Sequence, residues 1–213
     1  MQITLFGQTD KRPVVYSLLN ILQHLGDCLY VTNDRKAMRL MQDGPAEMGE
    51  LGNIAIAVTD STADEMWGDI GWSPADYEYV VLDNLYDDNT DMIIYIMGAG
   101  EEEEDSYVFD TFEEGEMLII KMGAPLKPKG KGGIHIGKGM GKGKYKKQDK
   151  SSTPAPKNIN IPYSKEMLVN LEACEFYGKL VPISKEATDA VAGILSPVLN
   201  MPKGDIKKVA NKK

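Results

Sequence analysis

Lys11 sits between a short apolar strand and an amphipathic helix, where a phosphate-binding loop would hold its lysine. Ile3 to Phe6 read as the strand and Gly7 to Arg12 as the turn. Val14, Val15, Leu18, Leu19, Leu22 and Leu25 then recur at helical spacing. Pro13 suits the first turn of that helix, where its missing N–H costs nothing. A phosphate loop closes backbone N–H groups on phosphate oxygens through its glycines, then supplies a lysine and a Ser or Thr hydroxyl for magnesium. Here Gly7 and Lys11 remain, but Asp10 and Arg12 occupy the places of a glycine and of the hydroxyl. A carboxylate at phosphate-contact range costs on the order of a few kcal/mol in a low-dielectric site. Arg12 cannot ligate magnesium. Phosphoryl transfer is nearly all positioning and charge neutralisation, so the exchanges predict a loop that does not hydrolyse nucleotide. On this reading Lys11 and Arg12 are ordinary exposed turn residues.

Two further carboxylates stand near strand ends. Asp34 follows the apolar run Cys28–Thr32 and reads as a helix N-cap. Asp83 closes Tyr77–Leu82 and reads as a strand-end aspartate capping a turn. Cys28 and Cys174 are too isolated for a disulfide framework or a zinc site and read as buried thiols in a reducing cytoplasm. His24 and His135 leave little room for histidine-based metal or triad chemistry.

These residues need a scaffold, and the apolar runs describe one. Cys28–Thr32, Asn53–Val58, Tyr77–Leu82 and Asp91–Met97 are short continuous strands separated by helical or turn-forming segments. That alternation predicts an α/β fold with a mostly parallel sheet and helices on both faces. Arg35–Gln42 reads as a short helix, and Thr62 as the N-cap of Ala63–Ile70 with Glu65 completing a capping box. Trp67 and Trp72 are expected to pack under that helix, and Met38, Met41, Met48, Met66 and Met92 to fill core gaps. Glu116–Met122 adds a further strand. Structure resumes at Ile159–Ile161, followed by helices at Lys165–Phe176 and Lys185–Leu195, the second capped by Ser184.

Charge divides the chain. Residues 1–126 carry a net −19, residues 127–157 a net +9 and residues 158–213 a net +2. The basic stretch is a long Lys/Gly-rich flexible loop with little to pack. Its Lys129, Lys131, Lys138, Lys142, Lys144, Lys146 and Lys147 suit phosphates of nucleic acid or an anionic membrane surface. Only Tyr145 interleaves them, so base stacking is poorly served, and a solvated linker is the simpler reading. The acidic stretch Glu101–Glu116 is a second, internal partner for it. The organisation expected is one domain from 1–124 and 158–200, a basic insert at 125–157 and a basic tail at 201–213. No apolar run is long enough to span a bilayer, and no signal segment opens the chain.

The order of these parts resembles the ParA/MinD-type deviant P-loop ATPases, which position DNA, septa and secretion machinery. In that family a strand leads into KGGxGK[ST] and a helix. Aligning on Lys11 puts Phe6-Gly7-Gln8-Thr9-Asp10-Lys11-Arg12 on the motif, so the family's signature lysine falls on Phe6 and its magnesium hydroxyl on Arg12. The family's aspartate after its second strand, which handles the attacking water, most nearly matches Asp34, so the resemblance sets that role beside the N-cap reading. The family's YDYVIIDTPP segment is similar to Tyr77–Asp83, with Asn84 and Leu85 in place of Thr and Pro, and implies for Asp83 a ligand to magnesium-bound water beside the turn-cap reading. Thr90–Ile96 resembles the next strand, and Ile161-Pro162-Tyr163-Ser164 resembles the IPYD before the last helices. The likeness covers residues 1–100 and 158–200. It implies a P-loop NTPase-like fold with a vestigial nucleotide site of Gly7, Thr9, Lys11, Arg12, Asp34, Asp83 and Pro162. No resident cofactor is expected, ATP and magnesium being what an intact site would take. The function implied is a non-hydrolysing scaffold or positioning protein in a pilus, secretion or conjugation assembly. It would be cytoplasmic or peripheral to a membrane-associated assembly and act through protein partners or as a homodimer. Two other classes stand beside it: an ATP-binding dimeric switch, and a nucleic-acid-binding protein working through the basic loop.

Overall fold

The computed structural model describes residues 1–41, 47–62, 65–99, 112, 117–123 and 159–212. The strands are β1 (Gln2–Phe6), β2 (Cys28–Thr32), β3 (Met48–Leu51), β4 (Ile54–Val58), β5 (Tyr79–Asp83), β6 (Met92–Gly98), β7 (Met117–Met122) and β8 (Ile159–Ile161). The helices are α1 (Arg12–Leu22), α2 (Met66–Ile70), α3 (Lys165–Tyr177), α4 (Lys185–Val198) and α5 (Lys203–Ala210). The strands form one sheet in the order β3-β4-β2-β5-β1-β6-β7-β8. Every neighbouring pair is parallel except β3 with β4. The expected α/β fold with a mostly parallel sheet is therefore present.

Side-chain alternation along each strand sorts the core into two faces. Ile3, Leu5, Tyr30, Ile56, Val81 and Ile94 join the cluster that buries α1, α3, α4 and α5. On the other side Leu29, Val31, Ala57, Val80 and Leu82 pack with Met66 and Ile70 of α2. Phe6, Ile93, Tyr95, Met97 and Ile119 form a separate patch there, covered by Tyr86 and Phe112. Helices thus lie on both faces among the described residues, but four cover one face and a single short helix covers part of the other.

Several local expectations change. Arg35–Leu40 is a 3₁₀ segment rather than an α-helix, and α2 begins at Met66. The Thr62 hydroxyl donates to the Glu65 carboxylate at 2.9 Å, so the two side chains satisfy one another instead of forming the expected box around backbone groups. Met48–Leu51 makes an antiparallel edge strand that the sequence reading left without a structure. Of the methionines, Met66 and Met41 are buried, whereas Met48 is exposed on that edge. Residues 203–210, read as part of a basic tail, are helix α5: Ile206, Val209 and Ala210 are buried, and the Asn20 amide donates to the Ala210 carbonyl at 2.9 Å. The cause is an apolar stripe at helical spacing within a lysine-rich segment, whose lysines remain on the outside.

Other readings hold. Ser184 accepts the Ala187 N–H at 3.1 Å, as the expected N-cap does, and Ser164 accepts the Met167 N–H at 3.1 Å, a cap beyond those expected. Trp67 and Trp72 pack beside α2, and the Trp67 indole donates to Asp87 at 2.7 Å. Cys28 and Cys174 are buried free thiols, and burial pushes Cys28 up to about 12. The basic insert, with the seven candidate contact lysines, and the acidic run Glu101–Asp105 lie outside the described residues. Among the described residues no helix is long and apolar enough to cross a membrane.

Candidate functional site

The ends of β1, β5 and β2 lie side by side, with Leu5 and Thr32 both in register with Asp83. Sheets of this kind gather ligands and polar groups beyond the carboxyl ends of their strands. Directly after β1 the chain turns at Gly7, whose φ is +142°. A Cβ there would lie 1.9 Å from the Ile96 carbonyl oxygen of β6, so the position admits only glycine. The turn then leads into α1, with Lys11 as its N-cap residue and Pro13 in the first turn.

Lys11 does not project into solvent. Its ammonium lies 2.9 Å from Asp83 Oδ1 and donates to the Gly7 carbonyl at 3.1 Å, with the side chain only 9% exposed. The other oxygen of Asp83 accepts from the Tyr30 hydroxyl at 3.1 Å and from Thr32 Oγ1 at 3.0 Å. Burial, reinforced by the Asp83 charge, holds the Tyr30 hydroxyl well above its ordinary range, so it remains a neutral donor. The expected exposed lysine is therefore corrected. Strand order brings a buried carboxylate within reach, and Lys11 neutralises it.

A second cluster begins one residue away. Asp10 accepts from the Arg12 backbone N–H at 3.2 Å, from Nε at 2.9 Å and from Nη2 at 2.7 Å. A helix N-terminus is where a phosphate loop would hold its anion, and here a side-chain carboxylate takes that place. Burial alone would raise Asp10, but the Arg12 hydrogen bonds and charge win and hold it below the usual carboxylate range. Arg12 reaches onward from Nη1 to Glu175 Oε1 at 2.8 Å. Tyr16 donates to the same oxygen at 3.2 Å, and Arg39 to Oε2 at 3.3 Å. This network ties α1, the 3₁₀ segment and α3 together. Arg12 is half-buried in it, not an exposed turn residue.

The remaining candidates divide. Thr9 lies half-buried in the same turn. Asp34 caps the 3₁₀ segment by accepting the Lys36 N–H at 2.9 Å, the cap favoured from sequence. Its own N–H donates to Thr32 Oγ1, which makes Thr32 a bridge between Asp34 and Asp83. Pro162 follows β8, separated from β1 by β6 and β7, and does not join the cluster. The residues that sequence reasoning missed are Tyr30, Thr32, Tyr16, Arg39 and Glu175. Thr32, a polar residue ending an otherwise buried strand, was the one local signal.

These residues do not fit magnesium-bound ATP. Admitting a triphosphate would require Lys11 to leave Asp83 unpaired in the interior and Asp10 to face like charge. A cavity of about 460 Å³ does open at the ends of β2 and β4, lined in part by Arg35, Met38, Val58, Asp60 and Asp69. Its Arg35–Asp60 ion pair is about two-thirds exposed on each side, so that pair is screened by water. The ion pairs shielded from water are at Lys11 and Arg12 instead. Compared with known proteins, the chain matches no family model and no curated sequence. The functional reading rests on this geometry.

Proposed function

We propose that this chain is a non-hydrolysing scaffold or positioning protein, built on a P-loop-like α/β domain of ParA/MinD type and working through protein contacts. The observation that carries the reading is the buried Lys11–Asp83 ion pair. The lysine that would neutralise phosphate is already engaged by the carboxylate that would orient metal-bound water. Asp10 and Arg12 support the same conclusion by closing the helix N-terminus internally. Such a loop is a structural joint. By resemblance, the setting is a pilus, secretion or conjugation assembly.

Thermal unfolding with and without magnesium ATP or ADP, paired with titration of a labelled ATP analogue, tests the reading. A ligand present at about 100 times its Kd adds about 2.7 kcal/mol to stability. No shift and no saturable binding at millimolar nucleotide is the expected result. A clear rise in Tm would overturn it in favour of an ATP-binding switch. The net +9 of residues 127–157 favours a nucleic-acid contact as a second reading. Affinity for duplex DNA or RNA that falls steeply with salt would support it, and absence of binding at low salt would remove it.

A further inference from the structure

Helix α3 carries apolar side chains on two sides. Met167, Leu171 and Cys174 are buried against the body, while Leu168, Val169, Phe176 and Tyr177 face outward. Phe176 is 81% exposed and Tyr177 74%. Their rings meet edge to face at 4.9 Å, which fixes an aromatic knob at the end of the helix. Glu175, the preceding residue, is anchored to Arg12 and Arg39, so the knob stands on a braced turn.

At about 100° per residue, Lys165, Leu168, Val169, Glu172 and Phe176 fall on one stripe. A helix that offers an apolar stripe with flanking charges is shaped for another helix. The charges say which one. Lys165 stands three residues before Leu168, and Glu172 three residues after Val169. With a rise of about 1.5 Å per residue, each is about 5 Å from the point midway between the two aliphatic side chains. An antiparallel copy related by a two-fold axis through that point brings Lys165 against Glu172 of the second copy, and Leu168 against its Val169. The same operation repeats both contacts in reverse, as an isologous interface requires. It also carries Phe176 toward the start of the second helix, where Tyr163 is half exposed. A parallel copy in register would instead set like charges side by side.

We infer that the outer face of α3 docks a second copy of this chain through an antiparallel, two-fold α3–α3 contact. The contact deepens the scaffold reading and rests on it for the need of a protein-binding face. It uses no part of the Lys11 site, so nucleotide binding tests one idea and oligomeric state the other. The stripe is small beside a standard interface of about 1,600 Å², so a weak, concentration-dependent dimer is expected.

Sedimentation equilibrium of the full chain from micromolar to several hundred micromolar is the experiment. A monomer–dimer equilibrium is expected. Val169→Asp should weaken it at least tenfold while leaving the circular dichroism melt within a few degrees. Lys165→Glu alone should weaken dimerisation several-fold, and Lys165→Glu with Glu172→Lys should restore it. A monomer at every concentration would overturn the inference, as would a dimer indifferent to Val169→Asp. Failure of the double charge reversal to restore association would overturn the antiparallel pairing. A monomer whose stability falls sharply with Val169→Asp would assign the face to another segment of the same chain, and would equally sink the proposal.

Discussion

Lys11 Nζ and Asp83 Oδ1 lie 2.9 Å apart, with 9% and 3% of their side chains exposed, and they join the loop after β1 to the end of β5. A buried ion pair contributes little net stability compared with an apolar pair, but removing one partner strands the other. Lys11→Met is therefore expected to lower unfolding stability by about 3–5 kcal/mol. Lys11→Met with Asp83→Asn should recover more than half of the loss, because the amide is neutral and still accepts from Tyr30 and Thr32. Urea denaturation of the two variants decides it. A single variant within 1 kcal/mol of the parent, on the order of an exposed pair, would mean the site is wetter than the structure describes.

The Asp10–Arg12 contact predicts a pH dependence of definite sign. Asp10 is held below its ordinary value of 3.8 in the folded state, so the unfolded chain binds its proton more readily. Its contribution is fully present above pH 3.8 and is lost as the pH falls through the lowered folded value. Asp10→Asn should thus flatten the acid limb of a stability–pH profile measured by chemical denaturation below pH 4. Near pH 7 the same variant should be less stable by about 1 to 2 kcal/mol, the scale of losing hydrogen bonds to a charged group. An unchanged acid limb would show that Asp10 does not hold this contact in solution.

Gly7 is predicted to be intolerant of any side chain. Its positive φ and the 1.9 Å approach of a Cβ to the Ile96 carbonyl leave no rotamer to adjust, because the obstacle is backbone. Gly7→Ala should cost at least about 3 kcal/mol, or abolish soluble folding, through combined strain and displacement of β6. Gly68→Ala is the control, since a Cβ there meets nothing within 4 Å. Comparable thermal melts for the two variants would contradict the register of β1 and β6.

Helix α5 is expected to be part of the cooperative unit. Ile206 is fully buried, and the helix receives the Asn20 amide at Ala210. Ile206→Ala should destabilise the whole chain by about 2–4 kcal/mol, the range for a truncated core aliphatic. A simple basic tail would show no effect. Tryptophan fluorescence during urea unfolding reads it out, because Trp67 and Trp72 lie on the opposite face of the sheet from α5.

Much of the scaffold could be read locally because its signals are local. Continuous apolar runs marked β2, β4, β5 and β6, and Ser184 announced its helix by capping chemistry alone. Where side chains competed for the same backbone groups, local reading failed. Thr62 and Glu65 bonded each other, and Arg35–Leu40 tightened into a 3₁₀ turn beneath the Asp34 cap. The edge strand β3 carried too little apolar character to announce itself, since its pairing depends on β4 lying alongside. In α5 the lysines outnumbered the apolar stripe and masked it.

The amino-acid order by itself determined that strands and helices alternate, that Pro13 lies in the first turn of α1, and that the loop at Lys11 departs from a phosphate-binding loop at Asp10 and Arg12. It could not determine what Lys11 touches. Asp83 comes within reach only because β5 inserts between β1 and β2, and Glu175 meets Arg12 across 163 residues only because α3 folds back over α1. Periodicity records which side of an element is apolar. Which charges finally meet is decided by strand order and helix placement, and those arise from packing the whole chain at once.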